Sequence, residues 1–279
     1  MPIGCQDMNA TARKLRPAKI RSAVLRRWFE HQLPRLELAP VPGPIVAMGS
    51  SYGGWLIPRE LIGPAPLCYC VGAGGDISFD LELIRSHGAT VRAVEAVEGY
   101  VRSALEQAAG EERFSAHQAA IATHDGPVRM QLTHDAGSRS VSSAGLYDSD
   151  QFVELPGRTL TSLMAELGDD HIDLLKLDVE GAEYELLPTL DLQALGVRVF
   201  ATQLHHTGSV REARALISNL GAAGYVPVAC RSAVKITFAR SDLLAAASDH
   251  GGARAAGSRR SLSRRLSLGR SRRRTPQAH

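Results

Sequence analysis

The chain is poor in aromatic residues, at 5% of 279, and holds only four cysteines. Cys5, Cys68, Cys70 and Cys230 form no C-x-x-C pair. No thiolate zinc site is therefore expected, and no metal is assigned. The cysteine pattern lacks the framework of a small secreted domain and reads as a reducing, cytoplasmic setting. No run of about 18 apolar residues is present, so no membrane-spanning helix is expected. The N-terminus is basic but has no continuous apolar core, so no secretory signal is expected. No internal repeat is visible. Acid is absent between His250 and His279, where nine arginines lie; with a net charge of +3 for the whole chain, the remainder carries −6.

Apolar and charged residues make up 44% and 22% of the sequence, the balance of a globular protein. The length suffices for one sizeable core with terminal extensions. Within residues 11–33, Ile20, Val24 and Trp28, with Leu25 and Phe29, recur at helical spacing, and arginines occupy the other face. Such a helix either lies on a membrane surface or packs on its own domain, and packing is preferred. Pro34 to Pro44 is a proline-rich connector. Three parts result: residues 1–44, the helix and connector; residues 45–245, the folded domain; and residues 246–279, a disordered Arg/Ser-rich tail. The tail suits nucleic acid or anionic membrane. The competing reading, a solvated extension without a partner, is favoured.

The stretch from Leu67 to Glu95 organises the domain. Leu67 to Val71 reads as a buried strand, broken at Gly72, Gly74 and Gly75. Glycine there lets backbone approach a ligand closely. Phe79, Leu81, Leu83 and Ile84 then follow a helical pattern that Gly88 stops. A second strand, Thr90 to Val94, ends on Glu95. Strand, glycine turn, helix, strand, acid is the layout of a nucleotide-binding βαβ unit, with the acid placed for a ribose diol. A dinucleotide motif G-x-G-x-x-G would need glycine at Ile77, and Asp76 would repel a pyrophosphate. Both oppose NAD, whereas the sulfonium cation of S-adenosylmethionine tolerates a nearby acid.

Beyond Glu95 the pattern gives a helix over Gly99 to Ala109 and strands over Phe114 to Ala122 and Val128 to Leu132. Residues 133–151 form a long polar loop suited to a substrate lid, followed by a helix over Arg158 to Leu167. Ile172 to Leu177 is a strong buried strand with Asp178, Glu180 and Gly181 at its carboxyl end, where ligands bind in open α/β sheets. Glu183 suits a helix start decorated with acids for its dipole. Asp178, which ends the apolar run, fits that explanation less well. Val197 to Leu204, the next strand, delivers His205 and His206. Adjacent residues alternate across a strand, so at most one histidine is expected to face the site. A helix over Val210 to Ala223 and strands over Tyr225 to Ala229 and Val234 to Ala239 complete the chain.

Gly72 to Glu95, LDVEGAEYELL at 177–187, LHH at 204–206 and the ending GYVPVACRSAVKITFAR together resemble the FkbM-type S-adenosylmethionine-dependent methyltransferases. The resemblance covers about Ser51 to Arg240. It implies an α/β, Rossmann-like class I methyltransferase fold: a mostly parallel seven-stranded sheet, antiparallel in its last strand, with helices on both faces. It implies S-adenosyl-L-methionine as cofactor and transfer to oxygen on small molecules or sugars. Gly72 and Gly74 would meet the methionine part, Glu95 the ribose, and Asp178 would lie between cofactor and acceptor. The expected cofactor-binding set is Gly72, Ala73, Gly74, Asp76, Glu95, Ala96 and Asp178. Three positions depart from the family pattern. Cys70 stands where a strand-end acid is common, Asp76 where a third glycine is common, and Gln203 where an acid often precedes the histidine pair.

The resulting expectation is an O-methyltransferase in which Asp178 orients and His205 acts as base, since histidine titrates near neutral pH. Two other classes remain: a non-catalytic cofactor-binding interaction module whose basic tail holds a polyanion, and an NAD-dependent oxidoreductase, which Ile77 and Asp76 disfavour.

Overall fold

The computed structural model describes residues 17–33, 36–133, 140–147 and 149–245. The Arg/Ser-rich tail lies outside them. In chain order the elements begin with α1 (Pro17–Gln32), β1 (Ile45–Met48), β2 (Trp55–Pro58), α2 (Arg59–Ile62), β3 (Leu67–Val71), α3 (Ser78–His87), β4 (Thr90–Glu95), α4 (Glu98–Gln107) and β5 (Phe114–Gln118). There follow β6 (Ala120–Ile121), β7 (Gly126–Leu132), β8 (Val141–Ser142), β9 (Phe152–Arg158) and α5 (Leu160–Leu167). The last are β10 (Leu174–Leu177), α6 (Glu183–Leu186), β11 (Val199–Gln203), α7 (Val210–Ala222), β12 (Tyr225–Cys230) and β13 (Lys235–Arg240).

Seven strands form the central sheet in the order β12-β13-β11-β10-β3-β4-β5. β13 runs antiparallel to both neighbours, and the other pairings are parallel. The expected mostly parallel sheet with an antiparallel last strand is thus present. Its order reverses between β3 and β10, and an open α/β sheet binds ligands at such a switch point.

Strand alternation divides the core between the two faces. Tyr69, Val71, Leu175, Leu177 and Phe200 pack on one side with residues of α5 and α7. Cys68, Cys70, Leu174, Val199 and Ala201 pack on the other with α3 and the β1–β2 hairpin. Lys176 lies in register with Cys70 and alternates with Leu175 and Leu177, so it faces α3. From α1, Phe29 joins the first cluster, while Val24, Leu25 and Trp28 are exposed.

A smaller sheet, ordered β6-β9-β7-β8, follows β5. Several expectations change here. The strand read over Phe114 to Ala122 divides into β5 and β6, which belong to different sheets. The helix expected from Arg158 starts at Leu160, because β9 continues through Pro156 and Gly157 to Arg158. Proline and glycine ordinarily weaken a strand. Gly157 here admits close packing, since a Cβ there would meet Val128 Cγ2 at 2.4 Å. Thr159 caps α5 by accepting from the Ser162 N–H. Of the polar loop 133–151, residues Val141–Ser142 pair with Gln131 and Leu132 as a strand, while residues 134–139 and 148 lie outside the described part.

Candidate active site

The carboxyl ends of β3, β4, β10 and β11 surround one cavity of about 1020 Å³. Gly72, Ala73, Gly74, Asp76, Glu95, Ala96, Asp178 and His205, the full expected set, all line it. This volume exceeds what one small ligand needs, and suits a cofactor with an acceptor beside it.

Gly72 leaves β3 with φ +76°. A Cβ there would stand 1.8 Å from the backbone oxygen of Asp178, so only glycine lets the two strand ends meet this closely. Gly74 also has positive φ, but a Cβ on it would meet nothing within 4 Å; its open side faces the cavity. The Glu95 carboxylate holds the loop in shape. Its Oε2 accepts from the Gly74 N–H and its Oε1 from the Val97 N–H, each at 2.9 Å.

Asp76 is hydrogen-bonded through both of its carboxylate oxygens. Its Oδ2 accepts from Ser50 Oγ at 2.5 Å and the Gly53 N–H at 3.2 Å, and its Oδ1 accepts from the Ser78 N–H at 3.0 Å. Burial opposes ionisation, but these hydrogen bonds outweigh it and hold the carboxyl below its usual range. Asp76 therefore ties the β1–β2 turn to the start of α3.

Beneath the glycine loop lies a second acid that sequence reasoning missed. Asp80, in the first turn of α3, is 3% exposed and also lines the cavity. Its Oδ1 has no hydrogen-bond partner. Burial pushes its pKa up to about 6, against the lowering effect of the Lys176 charge and the Cys70 thiol. Lys176 donates to the Gly72 carbonyl at 2.5 Å. The signal was the polar Asp80 on the apolar face of a helix and Lys176 inside an apolar strand.

At the carboxyl ends of β10 and β11, three acids surround His205. Its Nδ1–H donates to Glu183 Oε1 at 2.9 Å; Nε2 lies 3.4 Å from Glu180 Oε2 and 3.8 Å from Asp178 Oδ1. Burial alone would lower its pKa. The hydrogen bond and charge of Glu183, then the charges of Asp178 and Glu180, overcome this and push it up to about 9. These surroundings favour the protonated ring. Glu183 is not a solvated dipole acid. Its side chain is 0% exposed, its Oε1 also accepts from the Val179 N–H, and its Oε2 has no partner. Donor atoms of Asp178, Glu183 and His205 all lie within 4.8 Å of one another, close enough to hold a metal ion.

Glu180 adopts φ +52°, a left-handed conformation that non-glycine residues rarely take. The Ser142 hydroxyl donates to its carbonyl at 2.6 Å, and its side chain hydrogen-bonds Tyr147. Residues of the 140–147 segment therefore build one wall of the cavity. His206 also lines it, contrary to the expectation of one inward histidine. β11 ends at Gln203, so strand alternation no longer applies at 205 and 206.

The donors and acceptors fit S-adenosylmethionine. Gly74 presents an open backbone, Glu95 supplies a carboxylate beside it, and the unpartnered oxygen of Asp80 suits an ammonium group. Among the described residues, no helix is long and apolar enough to cross a membrane.

Comparison with known proteins gives three results. No curated protein matches the sequence. Among solved structures, the fibrillarin pre-rRNA processing protein of Methanococcus jannaschii aligns at 12% identity with a TM-score of 0.40, over 65% of this chain and 69% of that one. The METTL16 MTase domain aligns at 14% with a TM-score of 0.40, over 66% of this chain and 64% of that one, just under two thirds of its length. A SAM-dependent methyltransferase from Aquifex aeolicus aligns at 13% with a TM-score of 0.33, over 64% and 84%. A family model described as the methyltransferase FkbM domain matches residues 70–227, more than half of the chain and the segment that carries the glycine loop, Glu95, Asp178 and His205. The chain therefore belongs to the FkbM methyltransferase domain family and is an S-adenosylmethionine-dependent methyltransferase.

Proposed function

We propose that this methyltransferase methylates a hydroxyl oxygen of a small molecule or sugar. The observation that carries the reading is the placement of Asp178 and His205 in the same cavity as the glycine loop and Glu95. The bound cofactor supplies a methyl group activated by a sulfonium. Gly72, Ala73 and Gly74 shape its seat, Glu95 and Ala96 take its ribose side, and Asp80 takes its amino group. Asp76 acts through the loop it fixes. The acceptor hydroxyl enters between Asp178 and the 140–147 wall. Asp178 accepts the hydroxyl hydrogen, and His205 holds Asp178 and Glu180 in place. Holding the reacting oxygen at near-attack distance can supply a large share of the rate.

The three described cysteines are free, which supports a reducing, cytoplasmic setting. The deciding experiment mixes the protein with isotopically methyl-labelled cofactor and panels of hydroxylated small molecules and sugars, then reads products by mass spectrometry. Labelled methyl on oxygen supports the reading; label only on nitrogen or carbon acceptors overturns it.

A further inference from the structure

Three carboxylates, Asp178, Glu180 and Glu183, converge on one imidazole at the acceptor end of the cavity. Among the described residues, the only ion pairs these acids make are with His205. One imidazole faces three carboxylates, and a buried charge without a partner is costly. Solvent does not relieve the cost at Glu183, which is wholly buried. Its Oε2 meets no donor at all, although its Oε1 is bonded to the His205 ring. The side chain is thus anchored in the cluster with an oxygen left over.

Mutual spacing adds a second constraint. One donor atom each from Asp178, Glu183 and His205 lies within 4.8 Å of the others. Ligand atoms on one small divalent ion stand about 3–4 Å apart, so modest side-chain rotation brings all three onto a common ion. Carboxylates favour Mg²⁺ and Mn²⁺, and an imidazole adds affinity for first-row transition ions.

We infer that Asp178, Glu183 and His205 form a divalent-cation site, with Glu180 at its open side, that takes a hard ion of the Mn²⁺ and Mg²⁺ class. The cation occupies the acceptor half of the cavity, away from the glycine loop, with coordination positions open to acceptor or water oxygens. The Glu183 oxygen that lacks a donor gains a partner, and the charge of the cluster falls. Ligation engages one Asp178 oxygen and leaves the other free for the acceptor hydroxyl. The inference rests on the acid cluster and not on methyl transfer.

The test uses the full chain, stripped of metal with a chelator and free of cofactor. Mn²⁺ is titrated in and the free ion is followed by its electron paramagnetic resonance signal, with Mg²⁺ as competitor. One bound Mn²⁺ per chain is expected, and Asp178→Asn and Glu183→Gln should each weaken binding at least tenfold. Asp178 is partly exposed, so its variant keeps the test decisive if the buried Glu183→Gln chain fails to fold. No bound Mn²⁺ at millimolar concentration, or binding unchanged in folded Asp178→Asn, overturns the inference. S-adenosylhomocysteine affinity, measured in parallel by calorimetry, separates the two readings. Its retention without Mn²⁺ binding removes the cation site and leaves the methyltransferase reading standing.

Discussion

The thiol of Cys70 hydrogen-bonds the carboxylate of Asp80 beneath the glycine loop. Cys70 occupies the strand end where the family resemblance implies an acid. Here a carboxylate reaches the same place from α3, one layer below. Lys176, in register with Cys70 and facing the same helix, supplies a positive charge to it. The negative charge at the bottom of the site comes from a helix and not from the strand end.

Asp80 should leave a trace in the pH dependence of stability. Its pKa is raised in the fold from 3.8 to about 6, so between those values the folded chain keeps a proton that the unfolded chain loses. Its contribution is most favourable below the unfolded value and declines as pH rises through about 6. The span is about 3 kcal/mol at most. Denaturant titrations of the parent chain and Asp80→Asn at several pH values between 4 and 7.5 isolate it. The stability difference between them should move against the parent as pH rises; a constant difference would show that Asp80 titrates as an ordinary exposed acid.

Glu95 bridges cofactor seat and backbone. Removing its carboxylate in Glu95→Ala leaves the Gly74 and Val97 N–H groups without the acceptor they now share. The variant should bind S-adenosylhomocysteine more weakly by about 1–3 kcal/mol. Calorimetry on folded protein measures this, and unchanged affinity would take Glu95 out of the site.

How much of this was legible beforehand follows from what each signal depends on. β3, β10 and the Gly88 stop of α3 were readable because an apolar run and a left-handed glycine are local properties. The antiparallel β13 came from the family resemblance and its alternating pattern. β9 was missed because Pro156 and Gly157 look like breakers, and only the partner strand β7 shows that they fit a ladder. Asp178 and His205 were found from their place at strand ends. The contact of His205 with Glu183 was not, because Glu183 lies 22 residues away and was classed by position as a dipole acid. The tie from Asp76 to Ser50 likewise joins segments that no short pattern links.

The two loop glycines should respond differently to a methyl group. Gly72→Ala places a Cβ 1.8 Å from the Asp178 carbonyl oxygen. Backbone must move on one side, so the variant should melt well below the parent or lose the cofactor seat. Gly74→Ala meets nothing within 4 Å and bears only the left-handed conformation, about 1–2 kcal/mol. Thermal melts of both variants compare them; equal losses would contradict the close approach of β3 and β10.

The Arg-rich tail offers a clean subtraction. A chain ending at Ala245 should keep its cofactor affinity, because the cavity is lined by residues between Arg26 and Lys235. If the tail holds polyanions, only the full chain should be retained on heparin at low salt, and added salt should release it. Equal retention of both chains would leave the tail without this role.

Asp178 carries the sharpest prediction for catalysis. It stands at the carboxyl end of β10, with its backbone oxygen against Gly72 and its side chain beside His205. Its N–H is bonded to the Val71 carbonyl at 3.1 Å, so the backbone position survives a change of side chain. Asp178→Asn keeps the shape, removes the charge and replaces one oxygen with a donor. Turnover should fall by roughly 10²–10⁴-fold, the scale of a lost proton acceptor. S-adenosylhomocysteine affinity should stay nearly unchanged, because Glu95 and the glycine loop are untouched. The pairing of these two measurements decides the role. Loss of turnover with intact affinity places Asp178 at the acceptor. Equal loss of both would make it a cofactor-binding residue instead, and intact turnover would hand the acceptor proton to Glu180, the remaining cavity-lining acid beside His205.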